Sequence, residues 1–310
     1  MQRLIAIVGP TAVGKTKISI DLAQRLNTEI ISGDSMLVYQ CLNIGTAKPG
    51  INEQQGIPHH LIDILAPSDD YSVADFQKQA AGLISRINRA GKIPILAGGT
   101  GLYVKALLEG YHFAQASSST TIRDQLSRLA EEHGPQFIYD RLTAAAPLTA
   151  SRLHPNDLRR VIRALEVHMT TGECVSQSNQ AQSSGLVYDA IVIGLNLDRN
   201  LLYQRINARV DEMITHGLVA EVSALLEAGV SPFCQSMQGI GYKEVISYLK
   251  GEVELSAAAE KIKQATRNFA KRQLTWYRKM SYITWFDAAL PYDELVESIY
   301  SHIARKFQLR

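Results

Sequence analysis

The sequence predicts an α/β fold: a parallel sheet flanked by helices, interrupted by a helical insertion. Three observations lead there. Short apolar runs alternate with helix-period stretches through the first third of the chain, the pattern of a parallel sheet covered on both faces. Glycine-containing turns follow apolar runs at Gly9, Gly33 and Gly98. A long stretch with no convincing strand then precedes a late apolar run, Tyr188–Leu197.

Taken in order, Leu4–Val8 reads as the first strand and Thr16–Leu26 as a helix that opens on a glycine loop. Glu29–Ser32 is a second strand and His60–Leu65 a third. Val73–Arg89 has helical periodicity, with Val73, Phe76, Ala80, Leu83, Ile84 and Ile87 on one side. Gly91 stops it, and Ile93–Ala97 is a strand running into "GGTG" (Gly98–Gly101). The spacing assigns residues 111–185 to a helical insertion domain and residues 1–110 and 186–310 to the core. Two polar stretches in the insertion, Ser117–Thr120 and Ser176–Gly185, read as loops. Tyr188–Leu197 returns to the sheet, helices follow, and Tyr282–Phe286 is a last short strand. There is no internal repeat.

Composition excludes several classes. Of 310 residues, 46% are hydrophobic and 20% charged, enough for a sizeable core and against wholesale disorder. Net charge is only +2, so a nucleic-acid partner has to be held by a local patch. The cysteines Cys41, Cys174 and Cys234 are far apart with no C-x-x-C, which argues against a disulfide framework or zinc site and suits a reducing, cytoplasmic setting. No apolar run approaches the roughly 20 residues of a membrane span, and the leading apolar run stops at Gly9, as a strand does and a signal peptide does not.

"GPTAVGKT" carries the first chemistry. Gly9, Pro10, Thr11, Ala12, Val13, Gly14, Lys15 and Thr16 fit G-x-x-x-x-G-K-[ST] between a strand and a helix, which makes the core P-loop NTPase-like. Glycines let backbone N–H groups point at phosphate oxygens, Lys15 adds a charge, Thr16 is placed to bind Mg²⁺, and the helix presents its positive end. The motif is specific for phosphate binding and silent on chemistry. A GTPase would need an N-K-x-D segment, which is absent; a kinase remains open on the loop alone.

Asp34 and Ser35 follow the second strand at the edge where the phosphate loop sits. They read either as caps of the next helix or, for Asp34, as a general base or outer Mg²⁺ ligand. Thr100 in "GGTG" falls at the same edge. Far downstream, Lys263–Lys279 holds six basic residues and no acidic one. Helical geometry puts Lys263, Arg267, Lys271 and Arg278 within about 80° of one another, opposite Ile262, Ala265, Phe269, Trp276 and Met280, with Leu274 misplaced. Such a stripe suits an RNA backbone; the plain alternative is a solvated face.

Read together, "GPTAVGKT", "GDSMLVY", "NIGTAKP", "HHLIDI", "GGTGLYVKAL", "HPND…RRVIRALEV", "GIGYKE" and "TRNFAKRQLTWYRK" resemble, in order, the motifs of bacterial tRNA dimethylallyltransferases, from Ile5 to Phe286. The resemblance implies a loop that grips the diphosphate of dimethylallyl diphosphate as a leaving group, with Mg²⁺. The acceptor would be the exocyclic amine of the adenosine 3′ of the anticodon, in tRNAs reading codons that begin with U. It implies Asp34 as base, with Thr100 and Arg209 on the diphosphate. It also implies tRNA contacts from Asp34, Ser35, Met36, Leu37 and Thr100, from Arg123, and from Arg159, Arg160, Val161, Ile162 and Arg163. Further contacts would come from Gln238, Gly239, Ile240, Gly241, Tyr242 and Lys243, and along the basic helix from Arg267, Lys271, Arg272 and Arg278. A monomer is the family expectation. Two features depart from the pattern: Cys41 stands where Arg is common, and "SSSTT" precedes Arg123 where an acidic residue and Pro are common. Rival readings are a prenyltransferase on free AMP, a small-molecule kinase and a non-catalytic nucleotide switch.

Overall fold

The computed structural model describes residues 1–113, 120–172 and 185–309. Most of the two polar stretches read as loops (117–119 and 176–184), together with Cys174, lies outside the described residues. The chain divides into two compact units, Met1–Leu108 with Leu186–Arg310, and Glu109–Gly185.

The first unit is built on a six-stranded sheet: β1 (Arg3–Val8), β2 (Ile30–Ser32), β3 (His59–His60), β4 (Ile95–Ala97), β5 (Asp189–Asn196) and β6 (Ile283–Asp287). Their order is β3-β2-β4-β1-β5-β6 and every pairing is parallel. β1 is central, with Ile5 opposite Ile95 on one side and Ile191 on the other. Leu4 to Val8 are fully buried, which is why this strand reads as an unbroken apolar run. The two-residue period then divides it. Leu4, Ala6 and Val8 join one core, with Phe76, Ile84 and Tyr103; Ile5 and Ile7 join the other, with Ile18, Leu22 and Ile299.

Helices α1 (Lys15–Arg25), α2 (Ile51–Gln54), α3 (Val73–Arg89) and α4 (Gly101–Glu109) belong to the first half. α3 has the bounds its periodicity predicts and starts with a capping box: the Ser72 hydroxyl accepts from Asp75 N–H and the Asp75 carboxylate from Ser72 N–H. The third strand is shorter than expected. It spans His59–His60, because Leu61 (φ 61°) and Asp63 (φ 54°) adopt left-handed backbone that no strand accommodates.

The second unit contains α5 (Thr120–His133), α6 (Pro135–Ala145), α7 (Pro147–Ala150) and α8 (Leu158–Thr171). Leu126, Ile138, Leu142, Val161, Ile162 and Leu165 form its core. Back in the first unit, α9 (Arg199–Thr215), α10 (Leu218–Glu227), α11 (Tyr242–Leu249), α12 (Leu255–Tyr277) and α13 (Tyr292–Phe307) complete the fold. No helix among the described residues is long and apolar enough to cross a membrane.

Candidate functional site

Gly14 starts the site. Its left-handed backbone (φ 103°) turns the chain from the loop into α1, and no side chain caps the helix. The first turn of α1 holds no acidic residue, so its N–H groups and positive dipole end stay open to an anion. Val13, 2% exposed, anchors the loop in the core. Lys15 folds back over the loop, its Nζ donating to Gly9 O (3.1 Å) and Pro10 O (2.8 Å). Burial lowers its pKa to about 8; Asp34 acts to raise it and Arg209 to lower it. An ammonium thus desolvated gains more from an anion than one in water.

A cleft of about 190 Å³ opens there. Thr11, Ala12, Gly14, Lys15 and Thr16 line it from the loop, Asp34 and Leu37 from the segment after β2, Gly98 and Gly99 from the segment after β4, and Arg209 from α9. Predicted residues more than 170 positions apart in the sequence therefore share one cavity. Asp34 sits in a tight turn, with its Oδ1 accepting from Met36 N–H at 2.9 Å. Thr100 is not among the described residues that line the cleft. Its Oγ1 accepts from Ser35 N–H (3.0 Å) and donates to Ser35 Oγ (3.3 Å), which ties the "GGTG" segment to the Asp34 turn.

The glycines of "GGTG" answer to packing. A Cβ on Gly98 would lie 2.3 Å from Gly33 O, one on Gly99 2.5 Å from Gln273 Nε2, and one on Gly101 2.3 Å from Trp276 Cδ1. The close approach these glycines permit is thus to the turn after β2 and to α12. Gln273, 5% exposed, also accepts from Thr11 N–H through Oε1 at 2.9 Å.

Two further residues escaped sequence reasoning. Glu221, on α10, gathers the "NIGTAKP" loop: it accepts from the N–H groups of Asn43 (2.9 Å), Ile44 (2.7 Å) and Gly45 (3.1 Å) and from the Tyr242 hydroxyl (2.7 Å). The loop so held lines the cleft with Thr46, Ala47 and Pro49. Burial, then Glu221, pushes the Tyr242 phenol far up. His59 also lines the cleft. Its Nδ1 donates to Ile57 O (2.7 Å), and its buried Nε2 has no hydrogen-bond partner among the described residues. Burial lowers its pKa, so Nε2 offers a lone pair. Glu221 carries no local motif and only its loop contacts reveal it; His59 opens "HHLIDI", but nothing in that segment marks its ring as part of a site.

The segments expected to meet nucleic acid divide by unit. In the first, Met36 packs on Gly239, where a Cβ would lie 2.6 Å from Met36 Cε, so the 34–37 and 238–243 segments adjoin. Gln238 and Lys243 are exposed and Ile240 half-buried, whereas Gly241 and Tyr242 are buried. In the second unit, Arg159 and Arg160 are exposed, while the side chains of Val161 and Ile162 belong to the core. Arg123 donates to both carboxylate oxygens of Glu166 (3.1 Å and 3.3 Å), and Arg163 pairs with the same carboxylate at 2.9 Å. Glu166 is fully buried; burial pushes its pKa up, but the two guanidinium groups prevail and hold it below the usual range. These two arginines therefore brace the helical unit.

The basic stripe is narrower than its periodicity predicts. Lys263 pairs with Asp211 (2.8 Å) and Glu260 (2.9 Å), and Arg267 donates to Asn207 Oδ1 (2.6 Å). Lys271, Arg272, Arg278 and Lys279 are exposed, and Lys271, Arg272 and Lys279 line a shallow groove with Trp276. The buried face of α12 runs Ala258, Ile262, Ala270, Gln273 and Tyr277; of the face expected from periodicity, Ile262 and Met280, the latter just past the helix, are buried, Ala265 and Phe269 are half-buried and Trp276 is exposed. A polar Gln273 is buried because both ends of its amide are satisfied. Leu274 packs against the second core and so is not misplaced.

Two outcomes follow from this geometry. Binding inorganic diphosphate should protonate Lys15 above pH about 8, because the anion restores the ammonium that burial disfavours. Calorimetry at pH 8.5 in buffers of different ionisation enthalpy should detect more proton uptake for the wild type than for Lys15→Arg, which stays charged; equal uptake contradicts the desolvated lysine. Glu221→Gln should lower unfolding free energy in urea by about 1.5–3 kcal/mol, the scale of hydrogen bonds to a charged group. A loss below about 0.5 kcal/mol, typical of a surface change, would show that Glu221 does not hold the loop.

The chain matches the family model described as IPP transferase over residues 37–280. It is 49% identical over 310 residues to the tRNA dimethylallyltransferase of Bacillus subtilis, covering 99% of this chain and 98% of that one. It is 46% identical over 311 residues to the tRNA dimethylallyltransferase of Caldanaerobacter subterraneus subsp. tengcongensis, with 99% of each chain covered. The crystal structure of the tRNA isopentenylpyrophosphate transferase from Bacillus halodurans superposes with a TM-score of 0.76 at 45% identity, covering 99% of this chain and 97% of that one. A eukaryotic dimethylallyltransferase acting on tRNA superposes with a TM-score of 0.83 at 32% identity, covering 99% of this chain and 79% of that one. The phosphate loop precedes the matched model span, but the full-length relatives cover it. With its parallel sheet, phosphate loop and acid-and-cation cleft in place, the chain belongs to the IPP transferase family.

Proposed function

We propose that the protein transfers the dimethylallyl group of dimethylallyl diphosphate to the exocyclic amine of the adenosine 3′ of the anticodon, in tRNAs reading codons that begin with U, and releases diphosphate. The observation that carries the reading is the cleft itself, where the Asp34 carboxylate shares walls with Lys15, Arg209 and the open start of α1, and Glu53 lines it as a second carboxylate. The tRNA dimethylallyltransferases to which the chain is similar supply the substrate class.

An allylic diphosphate ionises when its departing charge is stabilised. Loop N–H groups, Lys15 and Arg209 are aimed at that charge in a partly dry site. Thr16 would supply one hydroxyl to Mg²⁺. No group of three or more His, Cys, Asp or Glu among the described residues could hold a metal ion, which fits a cation bound mainly through phosphate oxygens and water. Bound there, Mg²⁺ would neutralise the leaving diphosphate. The adenine amine is a weak nucleophile, and Asp34 accepts its proton as the new C–N bond forms. The target base leaves the anticodon stack to reach the cleft, while Lys271, Arg272 and Arg278 meet backbone phosphates and position the RNA without reading bases. The protein acts as a monomer.

With Mg²⁺ and labelled dimethylallyl diphosphate, label should enter total tRNA and not AMP; labelling of AMP alone would establish the free-nucleotide reaction. Asp34→Ala should lower kcat by roughly 10²–10⁴-fold with tRNA affinity little changed. Activity within about tenfold of wild type would make Asp34 a turn residue only, since a base contributes more than that.

Replacing Lys271, Arg272 and Arg278 together by Gln should weaken binding to every tRNA alike. It should reduce the log–log salt slope by about 0.7–0.9 for each phosphate no longer neutralised. An unchanged slope in a folded variant would identify a solvated face.

A further inference from the structure

Gln273 stands apart from everything the reaction needs by chemistry. It is a neutral amide on α12, 5% exposed, and it bridges two segments from the other end of the chain. Its Oε1 accepts from Thr11 N–H at 2.9 Å, and its Nε2 donates to Gly99 O at 2.8 Å. The Thr11 N–H can only donate and Gly99 O can only accept, so the partners fix which end of the amide is which. The fit is close: a Cβ on Gly99 would stand 2.5 Å from Nε2, and one on Gly101 2.3 Å from Trp276 Cδ1, about one helical turn further along the same helix.

We propose that Gln273 is a positioning residue for the transfer, setting the distance between the group that holds the leaving diphosphate and the group that takes the proton. The inference rests on the function proposed above. Thr11 belongs to the loop that leads through Gly14 to Lys15. Gly99 adjoins Thr100, whose hydroxyl holds Ser35 N–H and with it the turn that carries Asp34. One amide thus spans the electrophile's cradle and the base's support. It also occupies the Thr11 N–H, which leaves diphosphate binding to the later N–H groups of the loop.

A buried glutamine that merely glued α12 to the sheet would affect stability. One that sets a reacting distance acts on kcat, because a misplacement of about 1 Å can cost on the order of 10²-fold in rate. Gln273→Met keeps the length and removes both hydrogen bonds. Gln273→Glu keeps the acceptor for Thr11, but an ionised carboxylate faces Gly99 O with no donor. Once protonated it offers the same acceptor and donor pair as the amide.

The experiment measures transfer into tRNA for wild type and both variants from pH 6 to 8. Equilibrium binding of dimethylallyl diphosphate and tRNA and the folded fraction are followed in parallel. Gln273→Met should lose on the order of 10²-fold in kcat, with both affinities within about threefold of wild type and the protein folded. Gln273→Glu should recover towards wild type, as a ratio at each pH, as the pH falls from 8 to 6. The inference is overturned if Gln273→Met stays within about threefold in kcat, or if a folded Gln273→Met loses kcat and both affinities alike. It is equally overturned if the ratio for Gln273→Glu is flat in pH, a comparison that stands even where Gln273→Met fails to fold. An inactive wild type would overturn the proposed reaction and this inference with it; an active wild type with unimpaired variants overturns the inference alone.

Discussion

A desolvated cation at the carboxyl end of a parallel sheet is the constraint around which the rest of the molecule is arranged. Lys15 rests on the carbonyl groups of Gly9 and Pro10, and its pKa is lowered by burial to about 8. Such a group is costly to leave without an anion. The central strand β1 fixes where it sits, buried on both faces and paired on both edges. Asp34 and Arg209 reach the same cavity because β2 lies two places from β1 in the sheet and α9 follows β5, its direct neighbour. A parallel sheet gathers the ends of its strands along one edge whatever their separation in sequence.

The long helix Leu255–Tyr277 serves two sides of this arrangement. Its exposed residues Lys271 and Arg272, with Arg278 and Lys279 just beyond its end, form a basic surface. Among its buried residues, Ala270 joins the second core and Gln273 bonds to Thr11 and Gly99 beside the site. The Tyr277 phenol is pushed well up by burial, with Asp34's charge adding to it, so it stays neutral behind the carboxylate. The narrowing of the basic stripe has the same origin. Lys263 and Arg267 are drawn to Asp211 and Asn207 on α9, where that helix crosses the stripe.

How much of this was legible in the sequence follows from the range of each interaction. The phosphate loop, β1 and Val73–Arg89 are written in local pattern: a motif between a strand and a helix, an apolar run, a 3.6-residue period with its cap. Thr16, Asp34 and Arg209, which line the cleft, are pointed to by the loop motif, the position after β2 and family resemblance respectively. Gln273 was not found, because its partner Thr11 is 262 positions away and a helical wheel has no reason to bury a glutamine. Glu221 was not found either: its carboxylate meets Asn43 across 178 positions. The third strand was overextended because nothing in "HHLIDI" announces left-handed backbone at Leu61 and Asp63. The glycines of "GGTG" allow close approach, and the approaching atoms belong to Gln273, Trp276 and Gly33, two of them more than 170 positions away in sequence.

The central claim is that a loop built to bind phosphate here holds a diphosphate that leaves intact, so that carbon, and not phosphorus, is the centre attacked. The most direct measurement uses dimethylallyl diphosphate carrying oxygen-18 in the atom that bridges carbon and phosphorus, turned over with tRNA. Attack at carbon leaves all of the heavy oxygen in the released diphosphate, with the tRNA alkylated and free of it. Heavy oxygen in dimethylallyl alcohol, or phosphate on the tRNA, would mean that the loop moves phosphorus after all and would contradict the account.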